Sequence, residues 1–110
     1  MDSWNLNELD VDPHLPQVLD SETEGRAILL DLPAGQQLGE HQVHERAWLL
    51  VIDGNILLNT PDGESAAGGP GLLAIFDPKE RHEVQAIEDS RILLVLSPWP
   101  GDGHPSQKPG

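Results

Sequence analysis

The chain has 110 residues, of which 19 are acidic and 6 basic, for a formal net charge of -13, and it has no cysteine. That length holds one domain, the charge repels nucleic-acid phosphates and anionic membrane surfaces, and the lack of cysteine excludes disulfides and thiolate metal sites. No apolar run reaches the about 18 residues that a membrane span needs, and Met1 to Asn5 shows no basic region followed by an apolar stretch, so the cytoplasm is the expected compartment.

In chain order, residues 1–17 form a polar, acidic leader in which Pro13 and Pro16 break any helix. The domain is expected over residues 18–97. Its apolar runs are short: Ala27 to Leu32, Ala47 to Ile52, Ile56 to Leu58, Leu72 to Phe76, Val84 to Ile87 and Ile92 to Leu96. Turn signals separate them at Pro33-Ala34-Gly35, Asp53-Gly54, Pro61-Asp62-Gly63, Gly68-Gly69-Pro70-Gly71 and Asp77-Pro78. Runs this short with turns this regular predict the strands of a sandwich or barrel. No apolar period of 3.6 is sustained, and Glu40 to Trp48 is the one stretch with room for a short helix. Residues 98–110, with Pro98, Pro100, Pro105 and Pro109 among glycines, are expected to be an irregular tail, disordered from Ser106 onward.

Ala47 to Ile52 and Ile92 to Leu96 are apolar on both strand faces. One face fills the interior; the other needs a cover, from a second sheet or a second subunit. A homodimer is the expected answer.

Five histidines carry the chemistry: His14, His41, His44, His82 and His104. His14 lies in the leader and is expected to face solvent. In a strand from His82, the alternation puts His82, Val84 and Ala86 on one face, apolar but for the imidazole at its entrance. His44 has the opposite parity from His41, although a bulge or bend would free it from that rule. The residue types read more plainly elsewhere. Glu40 and Glu45 are most simply solubilising charges with Arg46 available as an ion partner, or else oxygen donors beside the histidines. His104 is most simply a solvated tail residue, or else a ligand if Trp99 anchors the tail near the barrel mouth. Trp48 is core or dimer interface, and Trp99 pins the tail. Ser90 and Ser97 have no visible His or carboxylate constellation around them, so no nucleophile is read.

Two segments resemble the cupin superfamily. The first runs Gly35, five residues, His41, one residue, Val43, three residues, Ala47, six residues, Gly54, which keeps every spacing of the first cupin motif. Val43 stands where the motif has a second His, and Ala47 stands where it has Glu. The second runs from Gly71 to His82 at the family separation. Pro78 arrives one place late, Lys79 replaces the inner Gly, and Ala86 replaces the Asn. The resemblance covers roughly Ala27 to Leu96. It implies an all-β fold, an antiparallel barrel of two facing sheets in a jelly roll. It also implies an interior lined by His41, Val43, Ala47, Leu49, Val51 and His82, with Val84 on the face of His82.

The family uses a divalent metal ion held by three imidazoles and one carboxylate. Here His41 and His82 keep their places, and His44 is the nearest substitute, so these three are the candidate ligands for one divalent ion. Three functions are then open. One is a small binding domain that holds a small molecule, a divalent ion or both in the barrel. Another is a metal-dependent enzyme of dioxygenase or isomerase type that uses His41, His44 and His82. The third is a non-catalytic structural or interaction subunit.

Overall fold

The computed structural model describes residues 1–13, 15–41 and 43–104, with residues 39–41 described by their backbone alone. His14, the stretch from Ser106 and the side chains of Glu40 and His41 lie outside that description. The described residues contain no α-helix; the Glu40 to Trp48 stretch holds two strand segments instead.

Nine strands follow one another among the described residues: β1 (Gln17–Glu22), β2 (Gly25–Leu32), β3 (Gln37–His41), β4 (Arg46–Asp53), β5 (Ile56–Asn59), β6 (Ser65–Gly68), β7 (Leu73–Phe76), β8 (His82–Ala86) and β9 (Ser90–Ser97). They form two sheets, one ordered β1-β2-β9-β4-β7 and the other β3-β8-β5-β6, and every pairing is antiparallel. This is the expected two-sheet antiparallel architecture. No helix among the described residues is long and apolar enough to cross a membrane.

Alternation builds the core. In β4, Ala47, Leu49 and Val51 are buried while Trp48, Leu50 and Ile52 are half-buried on the other face. In β8 the buried set is His82, Val84 and Ala86. Both sets meet Ile56 and Leu58 of β5, Ile92 and Leu96 of β9 and Phe76 of β7 in one cluster between the sheets. A fully buried Leu, Val or Ile contributes about 1.5–3 kcal/mol relative to exposure, so this seam holds the sheets together.

The turns lock the register. Gly54 has φ 90°, and a Cβ on it would stand 2.4 Å from the Asp89 carbonyl oxygen, so the β4–β5 turn tolerates no side chain there. The buried Ser90 hydroxyl staples the same place. It accepts the Asn55 N–H at 3.1 Å and donates to the Glu88 carbonyl at 2.8 Å.

The outer face of the larger sheet carries two apolar rows in register. Ile75, Trp48, Val95 and Ala27 form one; Leu73, Leu50, Leu93 and Leu29 form the other. At the β2 end the face is closed: Leu29 is 0 % exposed. There Arg91 pairs with Asp31 at 2.6 Å and donates to the Leu6 carbonyl at 2.8 Å, which ties the leader to this face. At the β7 end it is open, with Leu73 55 % and Ile75 52 % exposed.

Candidate functional site

The strand order sets one end of the barrel apart. β3 ends there at His41, β4 begins at Arg46, β7 ends at Phe76, β8 begins at His82 and β9 ends at Ser97. The Cα atoms of His41 and His82 are register partners across the β3–β8 pair, so the topology brings the two motif histidines to one place.

His82 is 2 % exposed and points between the sheets, as the alternation of β8 predicts. Its ring lies parallel to that of Phe76, centroids 3.9 Å apart and planes at 11°. Its Nδ1 is 3.3 Å from the Glu80 carbonyl oxygen. A carbonyl oxygen only accepts, so in that contact Nδ1 is the donor. Ala47 pairs with Phe76 across β4 and β7, which puts its methyl beside the stacked rings. Leu49, Val51 and Val84 lie deeper in the same cluster, and Val43 packs against it half-buried.

The C-terminal segment 98–104 crosses this end as a strap. The Trp99 N–H donates to the Thr23 carbonyl at 3.2 Å, and the Arg26 guanidinium sits 4.5 Å from the centroid of the Trp99 ring. So Trp99 pins the tail, as expected. Next, Gly101 passes directly over the His44 carbonyl; a Cβ there would lie 2.4 Å from that oxygen. The Gly101 N–H donates to Glu45 Oε2 at 2.6 Å. His104 closes the strap edge-on against Trp99 and His44, at 4.8 and 5.8 Å between ring centroids.

Three sequence readings change here. Glu45 is 1 % exposed and holds the strap, so it is not a solubilising charge. Arg46 pairs with Asp77 at 2.7 Å instead of with a neighbouring carboxylate. His104 is half-buried among rings, not solvated. A contact 56 residues apart leaves no local signal in the chain.

His44 stands in a bend between β3 and β4. Its ring turns to the strap, and its Nδ1 is buried with no hydrogen-bond partner among the described residues. Among the described residues no three His, Asp or Glu side chains gather as a metal site.

Several hollows flank the barrel, two of which concern its ends and seams. One of about 140 Å³ lies along the β5–β6–β7 seam, where Phe76, Leu58, Ala74 and Glu80 line it. A larger one of about 360 Å³ lies at the opposite end, where β2 and β4 finish and β9 begins. Asp31, Asp53, Asp89 and Arg91 line it. There Arg91 is committed to Asp31, and Asp89 accepts the Ala34 N–H at 2.8 Å. Of these two, the smaller is lined by Phe76, whose ring stacks on the buried imidazole.

No family model matches the sequence, and no curated protein matches it. Solved structures do. An RmlC-like cupin protein from Desulfovibrio desulfuricans superposes with a TM-score of 0.79 at 19% identity, over 89% of this chain and 97% of that one. A double-stranded β-helix protein from Klebsiella pneumoniae gives 0.76 at 18% identity, over 92% and 94%. A cupin-2 domain protein from Shewanella frigidimarina gives 0.73 at 15% identity, over 86% and 93%. The chain has the cupin fold.

Proposed function

We propose that this cupin-fold domain binds a small, mainly apolar molecule at the barrel end, with the His82 imidazole as its polar anchor. The carrying observation is the buried, stacked pair of His82 and Phe76 beside Ala47. An apolar surround with one oriented polar group is the ordinary form of a small-molecule site. Ala47 presents only a methyl beside the rings, and Phe76, stacked on the imidazole, also lines the 140 Å³ hollow. We place this domain in the cytoplasm as a homodimer, with the open apolar rows covered by a second copy.

The fold resemblance implies a divalent ion, which would supply Lewis-acid chemistry if bound. The described donors fall short of a three-ligand set. Val43 and Ala47 carry no donor, and the Glu45 carboxylate is committed to the Gly101 N–H. A metal reading, and with it the dioxygenase or isomerase alternative, rests on His41, His44 and His82. It draws support from the register pairing of His41 with His82.

One experiment separates the readings. Protein purified without a chelating tag is assayed for bound metal and screened by thermal shift against small apolar and carboxylate-bearing compounds. The binding reading expects sub-stoichiometric metal and a compound that raises Tm in wild type but not in His82→Ala. Stoichiometric metal that His82→Ala abolishes would overturn it in favour of the enzyme reading. No metal and no ligand, with the dimer intact, would favour an interaction subunit.

A further inference from the structure

We propose that the strap, residues 98–104, is a gate: it opens as a unit and uncovers the barrel end where His82 lies. Its role rests on the binding reading, since access matters only if a molecule goes there. Its opening does not.

Access is the first observation. His82 is 2 % exposed. The hollow at the β5–β6–β7 seam is lined by Phe76 and not by His82. A molecule that meets the imidazole therefore needs part of the cover to move. Three pieces of chain meet at this end: the bend with His44 and Glu45, the turn with Lys79 and Glu80, and the strap. The bend and the turn each run between two strands, and the Lys79 N–H ties them together through the Val43 carbonyl at 2.7 Å. The strap follows β9 and joins no strand pairing beyond Ser97 among the described residues. It lies on both of the others. A Cβ on Gly101 would stand 2.4 Å from the His44 carbonyl oxygen, and one on Gly103 would stand 3.7 Å from Lys79 Nζ.

The second observation is what the closed strap covers. Among the described residues, two buried side-chain polar atoms have no hydrogen-bond partner, Arg26 Nε and His44 Nδ1. Both lie against the strap. The Arg26 guanidinium is 4.5 Å from the centroid of the Trp99 ring, and the Cβ position on Gly103 is 3.5 Å from His44 Nδ1. Buried polar atoms without partners are uncommon and disfavoured. Opening the strap returns both to water.

Against that stand few closing contacts. The Gly101 N–H meets the Glu45 carboxylate, the Trp99 N–H meets the Thr23 carbonyl, and the Trp99 ring packs on the core. A segment held by a few bonds outside the sheets, and opposed by two unpartnered atoms beneath it, opens locally while the strands stay paired.

The test uses no ligand, so its failure is distinct from a failure of the binding reading. In the wild-type full chain, amide hydrogen exchange is followed at Trp99, Gly101 and His104 across low urea concentrations. These amides are expected to exchange together with little dependence on urea, while those of β4 and β8 show the full dependence of global unfolding. Modification by diethyl pyrocarbonate, mapped by mass spectrometry, then reads the His82 ring. Gly101→Ala drives a methyl into the His44 carbonyl and holds the strap off. It is expected to speed His82 modification by about tenfold or more, with β4 and β8 still protected. Asp102→Ala, at an exposed strap position, is expected to match wild type. Strap amides that exchange only with the strands would overturn the gate from the wild type alone. So would an unchanged His82 rate in Gly101→Ala once its strap amides are released, or an equal gain in Asp102→Ala.

Discussion

The buried carboxylate of Glu45 accepts the backbone N–H of Gly101 at 2.6 Å, across 56 residues of chain. Few carboxylates are this buried, and those that are need a strong partner. Here the partner is the strap itself. Glu45→Ala removes the acceptor and leaves a buried N–H unsatisfied, which costs about 2–3 kcal/mol. Glu45→Gln keeps an oxygen acceptor but loses the charge, so it should cost about half as much. Urea denaturation measures both, and hydrogen exchange at the Gly101 amide should rise in the alanine variant ahead of the strand amides.

Part of the core was legible from period-two alternation. Val84 and Ala86 behind His82 are read from neighbours in sequence and found buried. Leu49 and Val51, in a run apolar on both faces, were placed inward only by the family resemblance and are also buried. The strap was not legible. Glu45 sits among charged neighbours, and its burial comes from Gly101; His104 sits in a polar tail, and its rings come from Trp99 and His44. The register of His41 with His82 was reached through motif spacing, while the turn of the His44 ring toward Gly103 depends on a bend that no spacing encodes.

Ala47 is the sharpest departure at the barrel end, and restoring a carboxylate there tests it. Ala47 is buried against Phe76 and the stacked His82. Ala47→Glu places an unpaired acid in that apolar seam and should destabilise by at least about 2 kcal/mol. The double variant Val43→His, Ala47→Glu rebuilds a donor set with His41 and His82. It should recover stability on addition of nickel or zinc and bind the ion near one equivalent. Thermal melts with and without metal give both results. If wild type shows the same metal-dependent rise, the binding reading fails.

The β5–β6 hairpin carries the pH signal. The Asp62 carboxylate accepts the Thr60 hydroxyl and faces the Glu64 N–H at 3.5 Å. The Thr60 hydrogen bond, then the Glu64 backbone, hold its pKa below the ordinary carboxylate value. A folded pKa lower than the unfolded one means the contribution is fully present above the unfolded value of about 4. It is lost as the pH falls through the folded pKa. Carbon-detected titration should show Asp62 protonating below the ordinary carboxylate value, and Thr60→Val should bring it back toward that value.

The proposed dimer rests on the open rows of the larger sheet. Row by row, burial falls from β2 toward β7: Leu29 is fully covered, its row-mates Leu93 and Leu50 are half-buried, and Leu73 is exposed. At that end the leader is held to the sheet by the Arg91 bond to the Leu6 carbonyl. Among the described residues no segment covers the β7 end, where Ile75 stands beside Trp48. An exposed apolar strip on a chain this acidic points to a neutral partner surface, and a second copy offers the same strip related by a two-fold axis. Light scattering should return twice the 12.0 kDa chain mass for wild type. Ile75→Lys places a charge at the centre of that contact and should return a monomer. Its Tm should not depend on protein concentration, whereas that of wild type should. A monomeric wild type would leave the strip exposed in solution and remove the dimer from this account.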